Sequence, residues 1–253
     1  MISLDRFKMA MNPMPEHMAR AVQQGVMAGD FPDVGHAAAL FADWPRYRDR
    51  VMRAENGCAL VTCTTALPDV SPAMVDWWFG WHLPYSERYQ LWHPLAHRVA
   101  KVKEDRQHIA DDRARYVGNV SYVDEWIGKR MMRLAISFVS PETFGLVDVD
   151  RLGATAICAT TTDRLLHSEG GFLIHLVVPT ATGSEMRSAF WLGQVKPHWP
   201  MIHGLITPLL NRAAVRKLIV SDQMCVDLLQ HCAEEMNHLA RFLPALYAEV
   251  RGE

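Results

Sequence analysis

Along Ser221–Glu249 apolar residues recur at Val226, Leu228, Leu229, Cys232, Met236, Leu239, Ala240, Leu243 and Leu246, the spacing of one helix face. Ser221 or Asp222 stands where an N-cap belongs, and no Gly or Pro interrupts the pattern before Pro244. Upstream, strand periodicity takes over. Cys58–Ala66, Arg130–Val139, Ala154–Thr162 and Gly171–Val178 read as strands, and Arg98–Asp105 reads as an exposed one. In Tyr116–Gly128 alternation sorts Val123, Glu125 and Ile127 onto one face and Tyr122, Asp124 and Trp126 onto the other. Thr180–Gly183 makes a turn into Glu185–Leu192, and Trp199–Leu218 runs from irregular to helical. Ser71–His82 predicts a Ser-capped helix with Pro near its start, and Tyr85–His97 predicts an irregular stretch around Pro94.

Residues 1–50 predict helices. Pro15–Ala28 carries Met18, Ala21, Val22 and Val26 on one face, and Val34–Arg48 forms a second piece. The order is therefore helices, a strand, a helix, consecutive strands and one long helix. Short turns between strands point to an antiparallel sheet rather than βαβ units. The expected fold is α+β, with a curved sheet embracing the last helix and enclosing a cavity between them. Residues 1–50 form a helical N-terminal segment and residues 51–253 the sheet-and-helix domain. No phosphate loop, GxSxG elbow, GxGxxG or CxxC is present.

Composition adds boundaries rather than chemistry. At 49% hydrophobic, 21% charged and net charge −2, the chain has no electrostatic case for nucleic acid or an anionic membrane. No apolar run reaches spanning length, and the N-terminus lacks the core of a signal peptide. The five cysteines read as reduced and mostly buried, which implies a cytoplasmic protein. Met9, Met11, Met14 and Met18 make an adaptable apolar surface for the main domain or for a second subunit, hence a possible homodimer.

Chemistry enters at the last helix, where His231, Glu235, His238 and Phe242 fall in one stripe. An imidazole and a carboxylate at i and i+4 can chelate one metal ion, or can be a surface pair. Glu125 sits between two aliphatic neighbours, where an unpaired carboxylate is costly; a cation partner explains it, and so does a shifted register. Trp77, Trp78, Phe79 and Trp81 make the Ser71–His82 helix a core element or the wall of a pocket for a planar molecule.

WWFGWHLPYSERYQLWHPLAH, VDEWIG, EMRSAFWLG and HCAEEMNHLARFLP resemble the 2,4-diacetylphloroglucinol hydrolase and phloretin hydrolase family. The resemblance covers about Val70 to Pro244. Its most specific parts are the Tyr–x7–His spacing of Tyr89 to His97 and the HCxEEMxHLxxFLP helix. It implies a Bet v 1-like sheet around the C-terminal helix and a zinc-dependent cleavage of the carbon–carbon bond between an acyl group and a phloroglucinol-type ring. Carried over, the zinc ligands fall on His97, Glu125, His231 and Glu235, and a substrate-contacting tyrosine falls on Tyr89. Ala100 stands where the family can carry an Asn contacting a phenolic group, so the ring-substitution preference stays open. His203, near the last helix, is a candidate for proton transfer to the ring carbon. The implied partner is a small aromatic ketone. Two other readings compete. A di-iron carboxylate protein would use Glu235 and His238, but no second ExxH is present. A carrier of hydrophobic ligands needs no metal, so metal content separates it from the hydrolase.

Overall fold

The computed structural model describes residues 3–198 and 203–252, the side chains of His203 and Leu205 excepted. Its N-terminal part holds α1 (Glu16–Gln24), β1 (Val26–Ala28), α2 (Ala37–Ala42), α3 (Trp44–Tyr47) and β2 (Arg50–Arg53). β3 (Ala59–Pro68), α4 (Pro72–His82), α5 (Ser86–Trp92), β4 (His97–Val102) and α6 (Asp112–Tyr116) follow. The strands β5 (Val120–Ile127), β6 (Arg130–Val139), β7 (Thr155–Asp163), β8 (Ser168–Thr180) and β9 (Gly183–Pro197) run consecutively. The chain closes with α7 (His203–Leu210), α8 (Ala213–Ile219) and α9 (Asp222–Arg251).

One nine-stranded sheet has the order β1-β2-β3-β9-β8-β7-β6-β5-β4. Every pairing is antiparallel except β1 with β2. Its concave face closes on α9. Leu229, Cys232, Met236, Leu239, Leu243 and Leu246 are buried there against Val61, Cys63, Ile157 and Val177. This is the expected arrangement of an antiparallel sheet around the long C-terminal helix. Ser221 caps α9, its Oγ accepting the Met224 N–H at 3.2 Å. The buried Arg53 guanidinium anchors the same helix start, donating to Asp222 at 2.7 Å, the Val220 carbonyl at 2.8 Å and the Gly57 carbonyl at 3.0 Å.

Two features differ from expectation, and two others sharpen it. The helix predicted over Pro15–Ala28 stops at Gly25, whose φ of 71° ends it, and Val26–Ala28 then pairs with β2. The stretch Tyr85–His97 is irregular around Pro94 as expected, after the helix α5. The strand expected from Tyr116 begins later; Asp111 caps the short α6, accepting the Ala114 N–H at 2.7 Å. Finally, Met18 is fully buried, and Met9 and Met14 pack against the same core as α9. The methionine surface thus packs on the main domain of its own chain, one of the two settings expected for it.

The outer face of the sheet carries a second core. Leu40, Phe41, Trp44 and Tyr47 cover Leu60, Ile174, Ala189 and Trp191. All five cysteines are free and buried. Among the described residues no helix is long and apolar enough to cross a membrane.

Candidate active site

Period-two geometry and one helix turn bring the site together. Glu125 lies on the inward face of β5 with Ser121, Val123 and Ile127, all buried. His97 opens the edge strand β4 directly opposite Glu125, beside an irregularity between His97 and Val99. Such a bulge re-aims side chains at a strand end. His231 and Glu235 project from consecutive turns of α9 onto the same spot.

His97 Nε2 lies 3.4 Å from His231 Nε2, 3.4 Å from Glu235 Oε2 and 3.5 Å from Glu125 Oε2. His231 Nε2 lies 3.7 Å from Glu235 Oε2 and 3.8 Å from Glu125 Oε2. Four ligands at 2.0–2.2 Å around a tetrahedral zinc ion are separated by roughly 3.3–3.6 Å, close to these values. His97, His231 and Glu235 form a buried group that could hold a metal ion. Glu125 reaches the same imidazoles but also accepts the Tyr89 hydroxyl.

The electrostatics suit a cation. Burial, then the neighbouring His231, holds His97 well below the usual imidazole range. Burial, then His93, takes His231 down to about 3. Both rings are therefore neutral near pH 7, as metal ligands must be. Burial raises Glu125, and burial followed by the Glu125 charge pushes Glu235 well above the usual carboxyl range. Two buried carboxylates facing each other need a positive charge to ionise together. His97 Nδ1–H donates to the Tyr89 carbonyl at 2.9 Å, which turns the Nε2 lone pair toward the cluster. Its ring stacks on Tyr89 with centroids 3.7 Å apart.

The cluster sits on the wall of a cavity of about 130 Å³ lined by Phe79, Tyr89, Met132, Phe138, Phe190 and Leu228 among others. Tyr89 thus borders both the cavity and Glu125. Burial and then Glu125 raise its phenol well above 10, so it remains an O–H donor. The aromatic helix α4 does both things weighed for it: Trp77 and Trp78 are core, while Phe79 walls the cavity.

His238, on the same helix stripe, turns away; its Nδ1 accepts the Asn12 N–H at 3.2 Å and pins the N-terminal segment. His203 opens α7, and its side chain lies outside the described residues.

Two cavity groups, His175 and Ser121, and one neighbour of the cluster, His93, were not assigned a role from the sequence. His175, buried on β8, meets Ser188 Oγ through Nδ1 at 2.8 Å, and its Nε2 has no partner among the described residues. Ser121 Oγ is buried without a partner among the described residues and also lines the cavity. His93 stacks on His231 at 4.9 Å and donates from Nε2 to Glu234 at 3.3 Å. The alternation that exposed Glu125 would have found His175, which lies between the inward-facing Leu173 and Val177.

Known proteins bear on this site. A 2,4-diacetylphloroglucinol hydrolase from Pseudomonas protegens is 30% identical, over 93% of this chain and 80% of its own length. Another from a Pseudomonas species is 30% identical, over 93% of this chain and 84% of its own. The phloretin hydrolase of Eubacterium ramulus is 28% identical, over 78% of this chain and 70% of its own. Among solved structures, Ara h 8.0201 matches 68% of this chain and 99% of its own at 11% identity and TM-score 0.33. Ginseng major latex-like protein 151 from Panax ginseng matches 69% and 97%, at 11% identity and TM-score 0.36. The sequence profile of the DAPG hydrolase PhiG domain matches residues 51–248. With that profile spanning the sheet, the cavity wall and the helix that bears His231 and Glu235, the chain belongs to the DAPG hydrolase family.

Proposed function

We propose that this protein is a zinc-dependent hydrolase cleaving the bond between an acyl carbon and a polyhydroxylated, phloroglucinol-type ring. One observation carries the reading: two neutral imidazoles and two carboxylates converge on the wall of an apolar cavity in a member of the DAPG hydrolase family. The names of the relatives support the substrate class, since 2,4-diacetylphloroglucinol and phloretin both carry an acyl group on such a ring.

The reaction consumes one water. Its oxygen bonds to the ketone carbon, the ring carbon leaves with the bonding pair and takes a proton, and the products are a carboxylic acid and the deacylated phenol. A ring hydroxyl beside the acyl group can tautomerise to a ketone, so the broken bond belongs to a β-diketone and the step is a retro-Claisen cleavage. His97, Glu125, His231 and Glu235 would hold Zn²⁺, which supplies Lewis-acid polarisation of the ketone and acidifies water. Tyr89, kept protonated by burial and with its O–H on Glu125, accepts from a ring hydroxyl through its phenolic oxygen. His175, whose Nδ1 is taken by Ser188, offers its Nε2 to a second one. The apolar walls Phe79, Phe138 and Phe190 orient the ring and exclude bulk water. His203 stays the candidate for protonating the ring carbon.

Metal analysis joined to mutagenesis tests the assignment. Purified protein should carry about one equivalent of zinc. His231→Ala and Glu235→Ala should lose both the zinc and most of the acylphloroglucinol cleavage. Full metal content in both variants would refute the ligand set, and tight ligand binding by metal-free protein without turnover would favour the carrier.

A further inference from the structure

The cavity beside the cluster has two lobes. The inner lobe, about 130 Å³, is closed by Phe79, His82 and Leu83 of the α4 end. Its lining includes Ser121 Oγ, which has no partner among the described residues, His175, whose bond to Ser188 uses only Nδ1, and the Tyr89 hydroxyl. An outer lobe of about 280 Å³ adjoins it, with Met132, Leu134, Thr161, Leu192 and Met224 lining both. Beyond those shared residues it is bounded by Val195 of β9, Leu210 of α7 and Ile219 and Val220 at the end of α8. Of its charged side chains, Arg130 is exposed and Asp163 half-buried. Glu125, His231 and Glu235 line the inner lobe only.

A ketone held at the cluster must send one substituent into the inner lobe and the other outward. Ring hydroxyls lose hydration on burial and need hydrogen-bonding partners, which the inner lobe provides through Tyr89, Ser121 and His175. The outer lobe presents mainly aliphatic and thioether surface, which rewards methylene groups. Resting on the proposed reaction, we infer that the outer lobe is the acyl subsite and that the substrates are acylphloroglucinols with a long apolar acyl chain. An acetyl group would leave most of that volume unused. Each methylene drawn into it is expected to raise binding by about fourfold.

The test is a homologous series of acylphloroglucinols, from acetyl through butyryl and hexanoyl to octanoyl, on the zinc-loaded protein. Specificity constants should climb with chain length until the lobe is full. Ile219→Trp, which fills the lobe from a half-buried position, should lower the hexanoyl-to-acetyl ratio at least tenfold. Leu210→Trp, on a separate helix, should act the same way and guards against a folding artefact. A ratio that ignores chain length, or that neither variant moves, overturns the acyl subsite. If no member is cleaved, the proposed reaction fails, and equilibrium binding by tryptophan quenching still decides the lobe. Affinity rising with chain length, and reduced by Ile219→Trp, keeps the lobe as the tail site; flat affinity removes it.

Discussion

Tyr89 joins backbone and side-chain roles at one residue. Its carbonyl fixes the His97 ring, and its hydroxyl meets Glu125 at the cavity edge. Tyr89→Phe keeps the carbonyl and the stacked ring and removes only the O–H. Zinc content should be unchanged while kcat/KM falls by roughly 10²-fold; a near-wild-type rate would make Tyr89 structural. Protonation gives a second prediction. Glu235 is raised by burial and Glu125, so in metal-free protein its carboxyl keeps a proton above its ordinary range. That shift favours the metal-free fold at low pH and is lost as pH rises through the folded pKa. His231, lowered to about 3, acts the other way: the fold loses stability as pH falls from 6.5 toward 3, because only the unfolded imidazole is charged there. Zinc uptake near about pH 6 should therefore release protons from the carboxyls, and affinity should rise with pH. Calorimetry in buffers of different ionisation enthalpy reads this directly; a pH-independent affinity with no proton release would contradict it. At this scale legibility followed the strength of the local period. The i, i+4 pair and the inward parity of Glu125 could be read from spacing, whereas His97 was reached only through the family motif. The same parity marks His175, but nothing in a lone strand says which inward polar group meets a cavity.

Arg53 ties elements together. It lies on β2, is 7% exposed, and donates to two carbonyls as well as to Asp222 at the start of α9. Arg53→Leu keeps apolar contact but leaves the Gly57 and Val220 carbonyls unpaired, and should cost about 2–3 kcal/mol. Chemical denaturation measures it; a loss below about 0.5 kcal/mol would show that α9 is anchored by packing alone. Long periodic elements were legible: β6 spans Arg130–Val139 as alternation indicates, and α9 begins one residue past its cap. Short ones were not. β1 has three residues and α5 seven, too few to establish a period, and β1 exists because β2 offers it an edge.

At the scale of the whole molecule, the sheet is covered on both faces. α9 fills the concave side and leaves the cavity, while Leu40, Phe41, Trp44 and Tyr47 seal the outside. The N-terminal segment thus supplies the cover of the sheet's outer face. Helical spacing could not reveal this, because its partners, such as Ile174 and Trp191, lie more than a hundred residues away. The result is an apolar chamber with Glu125, His231 and Glu235 gathered on one wall. The central claim is that this wall directs water onto an aryl ketone. Its most direct test is mass spectrometry of the products from zinc-loaded protein and an acylphloroglucinol in heavy-oxygen water. The account predicts a deacylated phenol and a carboxylic acid bearing one solvent-derived oxygen in equal amounts. Recovery of the intact ketone, bound but uncleaved, would contradict it.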